Sequence, residues 1–215
     1  MGNITRTFAN NIGTSGVMKA TAFNNNSFDN VTSVASGAIT SGEVEFISTT
    51  SITSAQASAT VSLTGTFDEY IFYFEQMHPG SASVGLQMQT STDGTNFNLN
   101  TTTAYFLSRN SEDGSSNELS YKTSLDAHNS TSFYYLSVDQ INSGDSICCG
   151  TLSIFNAKNT TFMKNFKSRI QQEQNNNSME NYVGGYIHTT SAITHAKFQY
   201  SSGNIDNGKI HLFGR

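Results

Sequence analysis

From about residue 46 to the C-terminus, short runs with apolar side chains at every second position alternate with clusters of Gly, Ser, Asn and Asp. A period of two sends successive side chains to opposite faces, the signature of a β-strand with one buried side. Residues 59–63 put Ala59, Val61 and Leu63 on one face. Residues 84–89 alternate as strictly, predicting a strand with one face in the core and one in water. Residues 70–74 are aromatic on both faces, as in the middle of a sheet. Runs at 103–107, 133–138, 151–155, 166–170, 182–188, 196–200 and 209–213 have strand character. Asp93-Gly94 predicts a tight hairpin, His78-Pro79-Gly80 a turn, and the Gln/Asn-rich stretch 171–177 a polar loop. With no long amphipathic helix and no fixed-period repeat, the pattern predicts an all-β fold. The expected form is an antiparallel β-sandwich of jelly-roll type with an extended N-terminal arm.

Residues 1–45 have a different texture. Ile4, Phe8, Ile12, Val17, Met18, Phe23 and Phe28 stand isolated among Asn, Ser, Thr and Gly, following neither the helical nor the strand period. A short helical turn fits 26–31. Such spacing builds no core of its own, yet a bland linker would not carry so many hydrophobes. The segment is therefore expected to dock onto its own body, sister subunits or a larger assembly, with 46–215 forming the folded domain.

Composition narrows the picture. Of 215 residues, 79 are Asn, Ser or Thr, which disfavours helix because these side chains compete for backbone hydrogen bonds. Fifteen Phe and nine Tyr still supply a core. The net charge of −5, with eleven scattered basic residues, argues against a nucleic-acid partner. No apolar run approaches the ~20 residues of a membrane-spanning helix, so membrane insertion is not expected. The first residues have no secretory pattern, so synthesis in the cytoplasm is expected. The only cysteines, Cys148 and Cys149, are adjacent and poorly placed for a mutual disulfide.

Candidate chemistry is sparse. The five histidines form no close-spaced metal-binding pair, and no metal or cofactor is expected; a site where copies of His188, His195 or His211 meet on a symmetry axis is the one metal arrangement left open. Nothing beside Cys148-Cys149 would activate a thiol, and there is no nucleophile elbow or phosphate loop. Glu43 with Glu45, Asp68 with Glu69, and Glu112 with Asp113 are close in sequence, but solvated charge is their default reading. Ser91-Thr92-Asp93-Gly94 is one residue short of a sialidase Asp-box and occurs once, so it reads as the hairpin already named. An enzyme is not expected.

Three segments together resemble a family of tailed-phage virion proteins, common in marine and cyanobacterial phages and described as tail-fibre-like or virion structural. They are Phe67-Asp68-Glu69-Tyr70-Ile71-Phe72-Tyr73-Phe74 with Met77-His78-Pro79, the run 86–94, and the ending 193–214 with its Ser202-Gly203-Asn204-Ile205 turn and Leu212-Phe213-Gly214 close. The resemblance spans roughly residues 60 to 214. It implies a jelly-roll knob displayed on a virion, often as a homotrimer, with the N-terminal segment attached to other virion proteins. Ile4, Phe8, Val17, Met18, Phe23 and Phe28 would then be the anchors, seated in pockets of a partner.

On that reading the knob is a short fibre or spike meeting host surface glycans, with Tyr105, Phe106, Arg109, Tyr134 and Tyr135 as candidate contacts. The plainer reading makes most of those aromatics core. A capsid decoration (cement) protein would use the same arm and knob, and the lack of a repeat or heptad stalk favours it. A free carbohydrate-binding module or small glycosidase would need a carboxylate pair in a cleft or Trp platforms, and the chain has no Trp.

Overall fold

A computed structural model describes residues 44–139, 144–174 and 176–215. The alternating runs form strands β1 (Glu45–Ile52), β2 (Ala59–Ser62), β3 (Glu69–Pro79), β4 (Leu86–Ser91), β5 (Thr101–Ser111) and β6 (Asn117–Tyr121). They continue as β7 (Tyr134–Tyr135), β8 (Cys148–Phe155), β9 (Lys164–Gln174), β10 (Asn177–Ile187), β11 (His195–Tyr200) and β12 (Ile205–Gly214). A 3₁₀ turn at Thr123–Leu125 is the helical element among the described residues. The large sheet has eight strands in the order β1-β12-β3-β8-β9-β10-β5-β6, and the small sheet four in the order β2-β11-β4-β7. All pairs are antiparallel and the sheets pack together, so the expected all-β sandwich is the observed one. Among the described residues no helix is long and apolar enough to cross a membrane. The six candidate anchors Ile4, Phe8, Val17, Met18, Phe23 and Phe28, with the helical turn at 26–31, lie outside the described residues.

The small sheet lies over one half of the large one. Phe72 and Phe74 of β3 meet Phe198 of β11 edge to face across the sandwich, with ring centroids 5.4 and 5.1 Å apart. Burying each such ring contributes about 2–3 kcal/mol, and the edge-to-face geometry adds roughly 0.5–1.5 kcal/mol per pair. Tyr200 crosses the same core, and its hydroxyl donates to the Met77 carbonyl at 2.9 Å.

The other half, β9-β10-β5-β6, extends as a wing whose inner face is covered by the chain from Ala127 to Val138. Tyr134 lies against Phe166 at 5.3 Å. Asn181 Oδ1 accepts from the Tyr105 hydroxyl at 2.5 Å and from the Val138 N–H at 3.1 Å. Its Nδ2 donates to Ile170 O and Gln172 Oε1, while Gln172 Nε2 donates to Val138 O. At the root of β9 the buried Lys164 ammonium has no carboxylate partner among the described residues. It donates to the carbonyls of Asn159 (2.6 Å), Phe162 (2.7 Å), Thr190 (3.0 Å) and Thr189 (3.3 Å), tying the loop before β9 to the loop after β10.

Several sequence expectations are corrected. β4 is buried on both faces, because the 127–138 segment covers its polar side and Gln89 Nε2 donates to the carbonyls of Thr131 and Ser132. Asp93-Gly94 is not a hairpin turn: β4 pairs with β11 and β7, and the chain then crosses to β5 in the other sheet. The Asp93 carboxylate accepts from the Thr95 and Asn96 N–H groups at 2.8 Å each, which turns the chain out of the small sheet. The stretch 171–177 is mostly strand, since β9 and β10 pair from Lys164↔Ile187 out to Gln174↔Asn177. Its polar residues are accommodated by the buried Gln172 network and by alternation with solvent. Of 133–138 only Tyr134–Tyr135 pairs as strand, and β3 runs on through His78 to Pro79 at the sheet margin.

Candidate functional site

The wing turns its other face to solvent, and strand register orders the side chains there into rows. One row crosses β8, β9, β10, β5 and β6 as Thr151, Arg169, Tyr182, Phe106 and Tyr121. The next row on the same face is Ser153, Lys167, Gly184 and Ala104. Neighbouring strands lie ~4.8 Å apart, so the aromatic row from Tyr182 to Tyr121 extends on the order of 10 Å. Phe106 and Tyr121 meet edge to face at 5.2 Å. Phe106 remains 46% exposed and Tyr182 39%, large values for aromatic rings in the body of a sheet.

Ser153, Gly184 and Ala104 of this row form the floor of a trough of about 540 Å³ beside the aromatic wall. A pair of strand glycines makes it possible. A Cβ added at Gly184 would meet nothing within 4 Å, so the missing side chain leaves the floor open. At Gly185 a Cβ would stand 2.5 Å from Thr102 O and 2.8 Å from Phe166 Cζ, so that glycine serves the packing beneath.

Two cations line the trough in different states. The Arg169 guanidinium lies over the Tyr182 ring at 5.5 Å and binds Glu180 through Nε at 2.9 Å and Nη2 at 3.3 Å. The Glu180 carboxylate holds the Arg169 pKa above its ordinary value. Lys167 forms no ion pair among the described residues; its ammonium rests over the Phe155 ring at 5.3 Å. Stacking faces, an unneutralised ammonium and a hydroxyl-bearing floor can bind a ring-shaped polar ligand. They include no nucleophile with a base.

The five candidate receptor contacts do not come together. Tyr105 and Tyr134 are buried and are core residues, because odd positions of β5 face inward and Tyr134 lies under the wing. Burial raises the pKa of both phenols. Arg109 is engaged by Glu118 at 3.3 Å near the end of β5. Tyr135 belongs to the small sheet and donates to Asp139 Oδ2 at 2.8 Å. Only Phe106 reaches the trough. Tyr182, Lys167, Arg169 and Gly184 were missed as site residues; Gly184-Gly185 inside a strand pattern was the available signal.

A second arrangement also went unread. Thr49 Oγ1 and His211 Nδ1 are 2.8 Å apart, and His211 Nε2 and Glu75 Oε2 are 2.9 Å apart, across β1, β12 and β3. The Lys209 ammonium donates to Glu75 at 3.0 Å. Hydrogen bonds from His211 and then Lys209 hold the Glu75 carboxyl below its ordinary range. The order hydroxyl, imidazole, carboxylate is that of an activated nucleophile. It lies on an open sheet face where Glu75 and Lys209 are each nearly half exposed. Its hydrogen bonds tie β1, β12 and β3 together as a cross-strand ladder.

The three C-terminal histidines are dispersed. His188 stacks on Tyr186 at 4.5 Å, His195 packs against Gly94 from β11, and His211 is in the ladder just described. Among the described residues no group of three or more His, Cys, Asp or Glu is placed to hold a metal. Cys148 is buried, its thiol pushed up to about 12 by desolvation, and Cys149 is half-buried. Glu69 is buried beside Arg215, and Asp113 is tied into the turn after β5 by Ser111 and Ser115. Compared with models of protein families, with curated proteins and with solved structures, the chain matches none of them.

Proposed function

We propose that this chain is a non-enzymatic structural protein of a tailed-phage virion: a short trimeric fibre or spike, anchored by residues 1–45 and displaying a jelly-roll knob. The observation that carries the reading is the strand order. The chain alternates between the two sheets, with β1-β12-β3-β8 in one and β2-β11-β4-β7 in the other, an order that supports the jelly-roll reading. The pairs β5-β6 and β9-β10 are then insertions that build the wing. The terminal segment, where the virion-protein resemblance is most specific, supplies β11 and β12, each the second strand of its sheet.

Exposed apolar surface supports self-association. Phe46 is 57% exposed and Tyr73 45%, both packed edge to face on Phe213, and clustered apolar surface of this kind marks interfaces. The partners of the assembled protein would be its own copies, other virion proteins and a host surface glycan.

Native mass of the full chain and of a fragment 44–215 tests this reading. A trimer from both supports a knob that carries the oligomer. A monomeric fragment, with the full chain assembling only on capsid shells, would replace the fibre by a head decoration protein. Hydrolysis of a polysaccharide, abolished by one Asp or Glu substitution, would overturn the structural role altogether.

A further inference from the structure

We propose that the trough on the outer face of β8-β9-β10-β5 binds an acidic polysaccharide, a chain of pyranose rings carrying carboxylate or sulfate groups. The inference rests on the reading of this domain as a displayed knob and names the ligand class and its site.

The argument is one of shape and charge. The trough runs across the strands, open at Gly184 and walled by Tyr182 and Phe106, whose exposed rings offer apolar faces to the C–H side of a sugar ring. Its cations are unequal. Arg169 is already neutralised by Glu180, whereas Lys167, in the floor row beside Gly184, forms no ion pair among the described residues. An anionic group on a stacked sugar would complete Lys167 with a charge-assisted hydrogen bond. The chain as a whole carries a net charge of −5, so a polyanion is repelled by the protein at large. Attraction has to be local to the trough. A neutral glycan would leave Lys167 unanswered, and a second copy of this acidic chain would have to bring its own carboxylate to the same place.

The test titrates the full-length protein by calorimetry at low and high salt with three defined probes: a hyaluronan oligosaccharide, a dextran sulfate oligosaccharide and neutral dextran of equal length. The expected result is saturable binding of one or both acidic probes, weakening with salt, and none of dextran. Which acidic probe binds separates carboxylate from sulfate. Lys167→Gln should lower the affinity about tenfold or more. Gly184→Trp should abolish it by filling the trough, where a Cβ at this position meets open space, and a thermal melt of the variant checks that it folds. Unchanged binding in both variants, equal binding of dextran, or no binding of any probe would overturn the proposal. So would a loss of the native oligomer on Gly184→Trp, which would make the trough an interface between copies. Native mass and capsid assembly of Lys167→Gln are expected to stay as in the parent, so a failed titration leaves the virion reading standing on its own test.

Discussion

The two halves of the large sheet solve the same burial problem with different chemistry. Under the small sheet, the inner face of β1-β12-β3-β8 is closed by apolar interdigitation, with Phe72 and Phe74 against Phe198 and Leu152, Ile154, Ile210 and Leu212 fully buried. Under the wing, a loop does the covering, and a loop brings backbone N–H and C=O groups that need partners. Asn181, Gln172 and Thr103 supply them: the Val138 N–H meets Asn181, the Val138 carbonyl meets Gln172, and the Ala127 N–H meets Thr103 Oγ1 at 2.7 Å. A sheet covered by a sheet is sealed with hydrocarbon; a sheet covered by irregular chain also needs buried amides and hydroxyls. Because the loop seals one face of the wing, the other face is left free to form the trough.

The largest expected effect separates the halves most sharply. Phe198→Ala removes the ring shared by both edge-to-face pairs, and should cost about 3–5 kcal/mol of global stability in a denaturant titration. A cost under about 1 kcal/mol would mean that the small sheet is not held by this core. Asn181→Leu is the matched experiment in the wing. It strands the Val138 N–H, the Tyr105 hydroxyl and the Ile170 carbonyl, and should cost about 1–3 kcal/mol. Hydrogen exchange should quicken first in residues 127–138 while the strands around Phe198 stay protected. Uniform loss of protection across both halves would erase the distinction.

The smallest effect is at the crossing between the halves. The N–H of Asn96 first, then its side chain, the N–H of Thr95 and the Ser91 hydroxyl hold the Asp93 carboxyl far below its ordinary range. At the turn after β5, Ser115 and Ser111 bring Asp113 down to about 2. A folded-state pKa below the unfolded value gives stability that is complete above the unfolded pKa of about 4 and lost as pH falls through the folded one. Thermal unfolding should therefore be flat with respect to these groups from neutral pH to about 5, and fall below about 4. Asp93→Asn should make the acid decline shallower. A variant with an unchanged acid limb would show that the corner does not depend on the charge.

Of the strands read in the sequence, β2 and β11 lie close to their expected bounds, while the runs 70–74 and 209–213 are the middle parts of the longer β3 and β12. The unread strands, β1 and β6, are the edges of the large sheet. Of β1 only Ile52 is fully buried, and no residue of β6 is; an edge strand that buries little writes little pattern. Polar positions misled in the other direction. Gln87 and Gln89 occupy the polar positions of the alternation in β4, and Gln172 lies in the stretch expected to be a polar loop; all three are buried, and Gln89 and Gln172 donate to carbonyls of the 127–138 segment. At the trough, Phe106 was singled out from the sequence, but its neighbours Tyr182 and Arg169 were not, because only the pairing of β5 with β10 and β10 with β9 aligns them.

By itself the sequence determined that the chain is an all-β sandwich and which side chains of β2 point inward. Both follow from the two-residue period of an extended backbone, which is local and needs no knowledge of partners. Pairing was decided only in the tertiary structure: that β5 lies beside β10, that a loop covers one face of the wing, and that Gly184 opens a groove between two rings and a lysine. Those outcomes depend on contacts between segments far apart in the chain, where hydrogen-bond register, not local preference, sets which residues become neighbours.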